Sequence, residues 1–173
     1  MVERTAPLAM VDADGVIAAL PPAARIVLRT ADPGAVAVGL ALALGTIINR
    51  ATTTGPVTAL HLGPDEWLLL APPDAAAALL AAGAGLPAAM VDVSHRSTAI
   101  EVAGPHATTI LAAFCALDLA APAFPVGMCS RTLFGKAEII LWRTAATTFR
   151  IDVWRSFAPH VRDCLEEARR EFS

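Results

Sequence analysis

The sequence has no tyrosine, and its one lysine, Lys136, stands against twelve arginines. Charged residues make up 17% and aromatic residues 5% of the chain, whereas 55% of it is hydrophobic. A chain so poor in charge is not disordered over most of its length, because disorder needs low hydrophobicity and high charge. The formal net charge is −3. No basic surplus exists to hold a phosphate backbone, which excludes nucleic acid as a partner on electrostatic grounds. Cys115, Cys129 and Cys164 are widely spaced and form no C-x-x-C pair. That pattern fits a reducing compartment and offers neither a structural zinc site nor a redox motif.

Long apolar runs are missing as well. The longest stretches without a charged residue are Pro33–Asn49 and Ala75–Val91. Gly34, Gly39 and Gly45 interrupt the first, and Gly83, Gly85 and Pro87 the second. Neither supplies the ~20 continuous apolar residues of a membrane-spanning helix. The opening Met-Val-Glu-Arg has no apolar core behind a charged start, so no secretory leader is expected. These absences predict a soluble, cytoplasmic protein with no membrane as partner. Mean hydropathy is nonetheless +0.58. Part of that comes from alanine, which is small in area. The rest points to a large permanent interface with other subunits.

Catalytic signatures are equally scarce. Gly34, Gly39 and Gly45 fit no phosphate-binding glycine pattern, and there is neither a nucleophile elbow nor an H-E-x-x-H. Asp92, Ser94 and His95 are close in sequence, but neighbours on an extended segment point in opposite directions. They read as a polar turn between two strands. His160 and Cys164 share a helical spacing and lack a second ligand pair, so no metal is assigned to them. The expected catalytic, cofactor-binding and metal-binding sets of this chain are therefore empty.

What is present organises into two similar halves. Residues 1–24 carry Pro7, Gly15, Pro21 and Pro22 without clear periodicity and are expected to be an irregular N-terminal arm. Residues 25–173 are expected to form a single α+β domain of two halves, about 25–93 and 97–173. In the first, Arg25–Thr30 reads as a strand. Asp32-Pro33 opens a helix that Gly45 stops. Val57–Leu62 and Glu66–Ala71 are strands around a Gly63-Pro64-Asp65 turn. Pro72-Pro73-Asp74 starts an Ala/Leu helix that fails at Gly83, and Ala89–Val93 is a short strand. In the second half, Thr98–Val102 is a strand, and Gly104-Pro105 opens a helix carrying Ala107, Ile110, Leu111 and Phe114. Arg131–Phe134, Glu138–Arg143 and Phe149–Trp154 are strands, and Ser156 caps a final helix with an apolar stripe of Phe157, Val161, Leu165, Ala168 and Phe172. The fold class is thus α+β with pseudo-duplicated strand-helix-strand-strand-helix halves. A mixed or antiparallel sheet is expected, covered by helices on one side. Along Phe149–Trp154 the apolar residues alternate with Arg150, Asp152 and Trp154. That polar face makes Trp154, with Arg150 and Arg155, the candidate interface, since Trp and Arg dominate binding hot spots.

Val91-Asp92-Val93-Ser94-His95-Arg96, then Ile100-Glu101-Val102-Ala103-Gly104-Pro105-His106-Ala107, resembles a signature of the folate-binding aminomethyltransferases, which include the glycine-cleavage T-protein. Phe149–Ser156 is also similar to that family's first domain. Leu62-Gly63-Pro64-Asp65-Glu66-Trp67-Leu68-Leu69-Leu70-Ala71 resembles a narrower group, the gamma subunits of heterotetrameric sarcosine oxidase. Phe124-Pro125-Val126-Gly127 and Ser130-Arg131-Thr132 are similar to the same group. The resemblance runs from about Arg25 to the C-terminus. It implies the fold of the N-terminal folate-binding part of the T-protein.

The departures decide what the resemblance implies about chemistry. The T-protein has a Gly-Gly-x-x-Asp-Asp run with a catalytic acid, whereas the comparable place here reads Gly135-Lys136-Ala137-Glu138. Its Asn before the next helix is replaced within Val153-Trp154-Arg155-Ser156. A buried acid and an amide that hold a pterin are not exchanged this way without losing the site. The resemblance therefore implies a non-catalytic subunit that supports assembly of an oxidase converting sarcosine to glycine, with the one-carbon unit passed to tetrahydrofolate. FAD, FMN, NAD, zinc and tetrahydrofolate would be bound by other subunits. The partners would be the alpha, beta and delta subunits, chiefly alpha. The alternative is a stand-alone folate-binding or aminomethyltransferase-like protein.

Overall fold

The computed structural model describes residues 10–12 and 15–172. The first half contains β3 (Ala24–Arg29), α1 (Pro33–Leu40), β4 (Ala51–Thr54), β5 (Val57–Gly63) and β6 (Glu66–Ala71). A short turn of 3-10 helix then leads into α2 (Ala76–Ala82), followed by β7 (Ala89–Asp92). The second half contains β8 (Ser97–Ala103), α3 (Ala107–Ala112), β9 (Cys129–Phe134), β10 (Ala137–Ala145), β11 (Thr148–Trp154) and α4 (Ala158–Arg169). In each half a strand and a helix precede a three-strand meander whose last strand returns beside the first. The resulting orders are β4-β5-β6-β3 and β9-β10-β11-β8. All strand pairings among the described residues are antiparallel.

The place beyond the first strand is filled differently in the two sheets. In the first sheet β7 pairs with β3. In the second, the N-terminal β2 (Gly15–Ala19), itself paired with β1 (Met10–Asp12), lies against β8. This corrects the reading of residues 1–24 as wholly irregular, while residues 1–9 lie outside the described residues. Strand formation at 15–19 depends on a partner more than eighty residues away, as in the pairing of Ile17 with Val102. A short apolar segment carries no local sign of that.

Side-chain alternation sets the layering. Ala24, Ile26 and Leu28 of β3, with Trp67 and Leu69 of β6, point to α1 and α2. Val102, Leu141, Phe149, Ile151 and Val153 point to α3 and α4. The opposite faces meet each other: Leu60, Leu68 and Leu70 of the first sheet pack with Cys129, Ile140 and Trp142 of the second. Two sheets thus face one another, each with helices on its outer side.

Two helix ends differ from expectation. α1 starts as read, with the Asp32 carboxylate accepting from the Ala35 N–H at 3.0 Å and Pro33 in the first turn. It stops at Leu40, before Gly45. Ala41 adopts a left-handed conformation (φ 51°), and the Leu42 N–H donates back to the Ala37 carbonyl at 3.0 Å. α4 starts without help from Ser156. Its cap position is Phe157, which makes no side-chain capping bond.

Candidate functional site

The residues from Asp92 to Arg96 join the two halves. The Ser94 hydroxyl donates to the Asp92 carboxylate, which also accepts from the Ser94 N–H at 2.8 Å. These bonds hold the Asp92 carboxyl below its ordinary range. The same Ser94 oxygen accepts from the Arg25 N–H at 2.9 Å, and the Val93 N–H donates to the Arg25 carbonyl at 2.8 Å. The segment is a clasp on β3. Ser94 spends its hydrogen and its lone pair on this clasp, and His95 lies exposed on the turn. The three residues do not form a relay.

Asp65, Glu66 and Trp67 of the Gly63–Trp67 stretch each have a structural task. The Asp65 carbonyl accepts from the Thr30 N–H at 3.0 Å, and its carboxylate pairs with Arg29 at 2.8 Å. Glu66 pairs across the sheets with Arg131. Trp67 is fully buried, donates from Nε1 to the Gly45 carbonyl at 3.2 Å and stacks on His61 at 4.3 Å. His61 was not singled out from the sequence. It is 3% exposed, and neither of its ring nitrogens has a partner among the described residues.

The face that carries Arg150, Asp152 and Trp154 turns toward the other sheet at Arg150 and Asp152 and opens to solvent at Trp154. Asp152 is 4% exposed and Arg25, opposite it on β3, is 2% exposed. The Arg25 Nε donates to one Asp152 oxygen at 2.7 Å, and the Arg150 Nε donates to the other at 2.6 Å. Of the three interface candidates, Arg150 is drawn inward by this carboxylate, while Trp154 (43% exposed) and Arg155 remain outside. The Arg96 guanidinium lies over the Trp154 ring, 5.2 Å from its centre. Arg25 between Ala24 and Ile26 follows the alternation of an ordinary solvent-facing charge, so the sequence carries no local sign of this buried ion pair.

The cleft bordered by Arg25, Glu66, Arg96, Arg131, Glu138 and Asp152 has a volume of about 30 Å³. That is room for about one water, against roughly 300 Å³ or more in small-molecule sites. Glu138 sits on its exposed rim, after the tight Gly135-Lys136 turn in which Gly135 has φ +57°. The Cys164 sulfur lies 3.8 Å from the His160 ring, and burial raises that thiol's pKa. Among the described residues no three His, Cys, Asp or Glu side chains gather as a metal-binding group would require. The arrangement holds two sheets together through paired charges.

Comparison with known proteins places this geometry. A model of the sarcosine oxidase, gamma subunit family matches residues 28–171. The sarcosine oxidase subunit gamma of Corynebacterium sp. (strain P-1) is 34% identical over 141 residues, 80% of this chain and 68% of that one. The subunit gamma of Arthrobacter sp. is 32% identical over the same length, again 80% and 68% of the two chains. A chain of the heterotetrameric sarcosine oxidase from Corynebacterium sp. U-96, in complex with pyrrole 2-carboxylate, superposes with a TM-score of 0.83 at 26% identity. The match covers 92% of this chain and 85% of that one. The glycine cleavage system aminomethyltransferase T from Bartonella henselae superposes with a TM-score of 0.65 at 13% identity, over 85% of this chain and 44% of that one. The last likeness is one of fold.

Proposed function

We propose, from the premise that this chain belongs to the sarcosine oxidase gamma subunit family, that it acts in a heterotetrameric sarcosine oxidase as a subunit of assembly and not of chemistry. The observation that carries the second part is the cleft between the sheets. The T-protein fold is retained, yet the facing side chains close on each other as Arg25–Asp152–Arg150 and Glu66–Arg131, leaving about 30 Å³. A cleft of that size supports a reading in which this chain does not hold tetrahydrofolate there. In this reading the oxidative demethylation of sarcosine to glycine and the capture of the one-carbon unit by tetrahydrofolate take place on other subunits. Those subunits also hold FAD, FMN, NAD and zinc.

The alpha subunit is the chief partner in this proposal, with beta and delta completing a cytoplasmic complex. No helix among the described residues is long and apolar enough to cross a membrane. Trp154 and Arg155 would face the partner, with Arg150 fixing the end of β11 behind them. Co-expression of a tagged chain with the other subunits tests the reading. Co-purification of a flavin-containing partner is expected. A lone chain that binds folate and joins no partner would overturn it in favour of a stand-alone folate protein. Within the complex, His95→Ala and Glu138→Gln should change turnover by no more than a few-fold, whereas loss of a general acid or base costs ~10²–10⁴-fold.

A further inference from the structure

Most arginines of this chain are spent internally. Arg25 and Arg150 share Asp152, Arg29 pairs with Asp65, Arg131 with Glu66, Arg169 with Glu166 and Arg170 with Glu167. Arg50, Arg96, Arg143 and Arg155 have no carboxylate partner among the described residues, and Arg143 is buried against the Leu119, Phe124 and Ala146 carbonyls instead. Arg162 has only its exposed sequence neighbour Asp163, at 3.7 Å. Arg155 and Arg162 stand together. The Arg155 N–H donates to the Arg96 carbonyl at 3.0 Å, and Arg155 and Arg162 flank one hollow of about 220 Å³. The floor of the hollow is apolar, formed by Ala19, Ile100 and Pro159. It exists because β2 ends at Ala19. The Leu20 N–H makes a last bond to the Ala99 carbonyl at 2.9 Å, and Pro21-Pro22 then leaves the edge of β8. Next in sequence to Arg155 and Ala158 of its lining are Trp154 and Phe157, both exposed.

We infer that this hollow and its arginines receive an acidic segment of a partner protein chain, one that sets an Asp or Glu between Arg155 and Arg162 and an apolar side chain on the floor. The inference rests on the subunit reading above and adds the chemistry of the contact. Charge complementarity carries it: Arg155 and Arg162 flank one hollow with Asp163, 3.7 Å from Arg162, as their one carboxylate partner among the described residues, on a chain whose net charge is −3. A free carboxylate would gain little here, since isolated exposed ion pairs are worth ~0–1 kcal/mol. A chain segment that also covers Trp154 and Phe157 desolvates those pairs and buries the aromatic surface typical of hot spots.

The test uses the co-expressed complex. Arg155→Glu/Arg162→Glu should weaken binding of the chain to its partners about a hundredfold, since like charges then face each other. Wild-type binding should weaken as salt rises above ~0.15 M, and the double variant should lose that dependence. Arg155→Lys/Arg162→Lys should retain most of the affinity, and Lys136→Glu, a charge reversal in the β9–β10 turn that shifts net charge half as far as the double variant does, should stay within about twofold. Unchanged melting of the lone double variant checks its folding. A double variant that assembles like the wild type overturns the inference and leaves the subunit reading standing. Self-association of the lone chain that Arg155→Glu abolishes would assign the patch to a second copy and also overturn it. A wild-type chain that joins no complex fells both.

Discussion

The two halves lay out the same strand order and cover it in different ways. In the second half α4 is twelve residues long and buries Val161, Leu165 and Ala168 against β8, β10 and β11. Its polar side is tied by the Glu166–Arg169 and Glu167–Arg170 pairs. In the first half α2 buries no residue completely, and α1 buries Val36 and Leu40 only. Trp67 does the work that a longer helix does elsewhere, plugged under the loop at Gly45. Both halves leave large apolar side chains exposed, Val38, Ile47, Ile48 and Val91 in the first and Val126, Leu133, Trp154 and Phe157 in the second. A repeated topology therefore does not imply repeated energetics. One half is closed by an amphipathic helix, and the other by an aromatic plug under a thin, alanine-rich cover.

The halves depend on each other most at Asp152, whose carboxylate in the second half holds Arg25 of the first. Removing one member of a buried ion pair leaves uncompensated charge and costs about 3–5 kcal/mol. Asp152→Ala strands two guanidiniums at once and should be the most damaging single change, read as a fall in the urea midpoint. If only one sheet loosened while the other kept its hydrogen-exchange protection, the halves would be separate folding units and the comparison would have to be redrawn.

The difference in helix cover sharpens through a matched pair. Leu165→Ala, at a fully buried site on α4, should cost about 2–5 kcal/mol. Leu79→Ala, on the half-buried α2, should cost about 1 kcal/mol. Equal losses would mean that α2 packs as firmly as α4.

How much of this was legible in the sequence follows from the same contrast. The α4 stripe and the Phe149, Ile151, Val153 alternation were readable because period and burial agree. Alternation gives parity and not destination. Arg150, Asp152 and Trp154 looked like a solvent face because nothing local reveals that a second sheet lies opposite, and Asp152 and Arg25 are 127 positions apart. β4 was missed because Ala-Thr-Thr-Thr at a sheet edge is too polar and too short to stand out. Gly45 was expected to stop α1, but the chain turns left-handed at Ala41, a residue that rarely does so. The Asp92–Ser94 pattern was visible, and its partner on β3 was not.

Thiol chemistry separates the space between the sheets from the helix surface. Burial pushes the Cys129 thiol up to about 12. The thiolate is the reacting form, so Cys129 should resist iodoacetamide at pH ~8 in the folded chain. Cys164 on α4 is only partly buried and should be labelled first, despite the upward push on its thiol from burial and Asp163. Native labelling of Cys129 at the rate of Cys164 would show that the sheets part readily.

The smallest expected effect lies at the junction of the halves. The Ser94 hydroxyl and amide hold the Asp92 carboxyl below its ordinary value near 3.8. A depressed pKa means that the folded state binds the proton more weakly than the unfolded chain does. The stabilisation is therefore present above the unfolded pKa and is lost as pH falls through the folded one. Asp92→Asn keeps an acceptor for the Ser94 N–H but removes the charge. At pH ~7 it should be less stable than the wild type by under ~1 kcal/mol, because the site is open to solvent and such bonds are weak there. The gap should narrow below pH ~4 and close once the wild-type carboxyl is protonated. Unfolding midpoints of the two proteins across that range check it. A gap that persists undiminished into strong acid would mean that the asparagine distorts the clasp on Arg25, and that the junction is held by shape and not by charge.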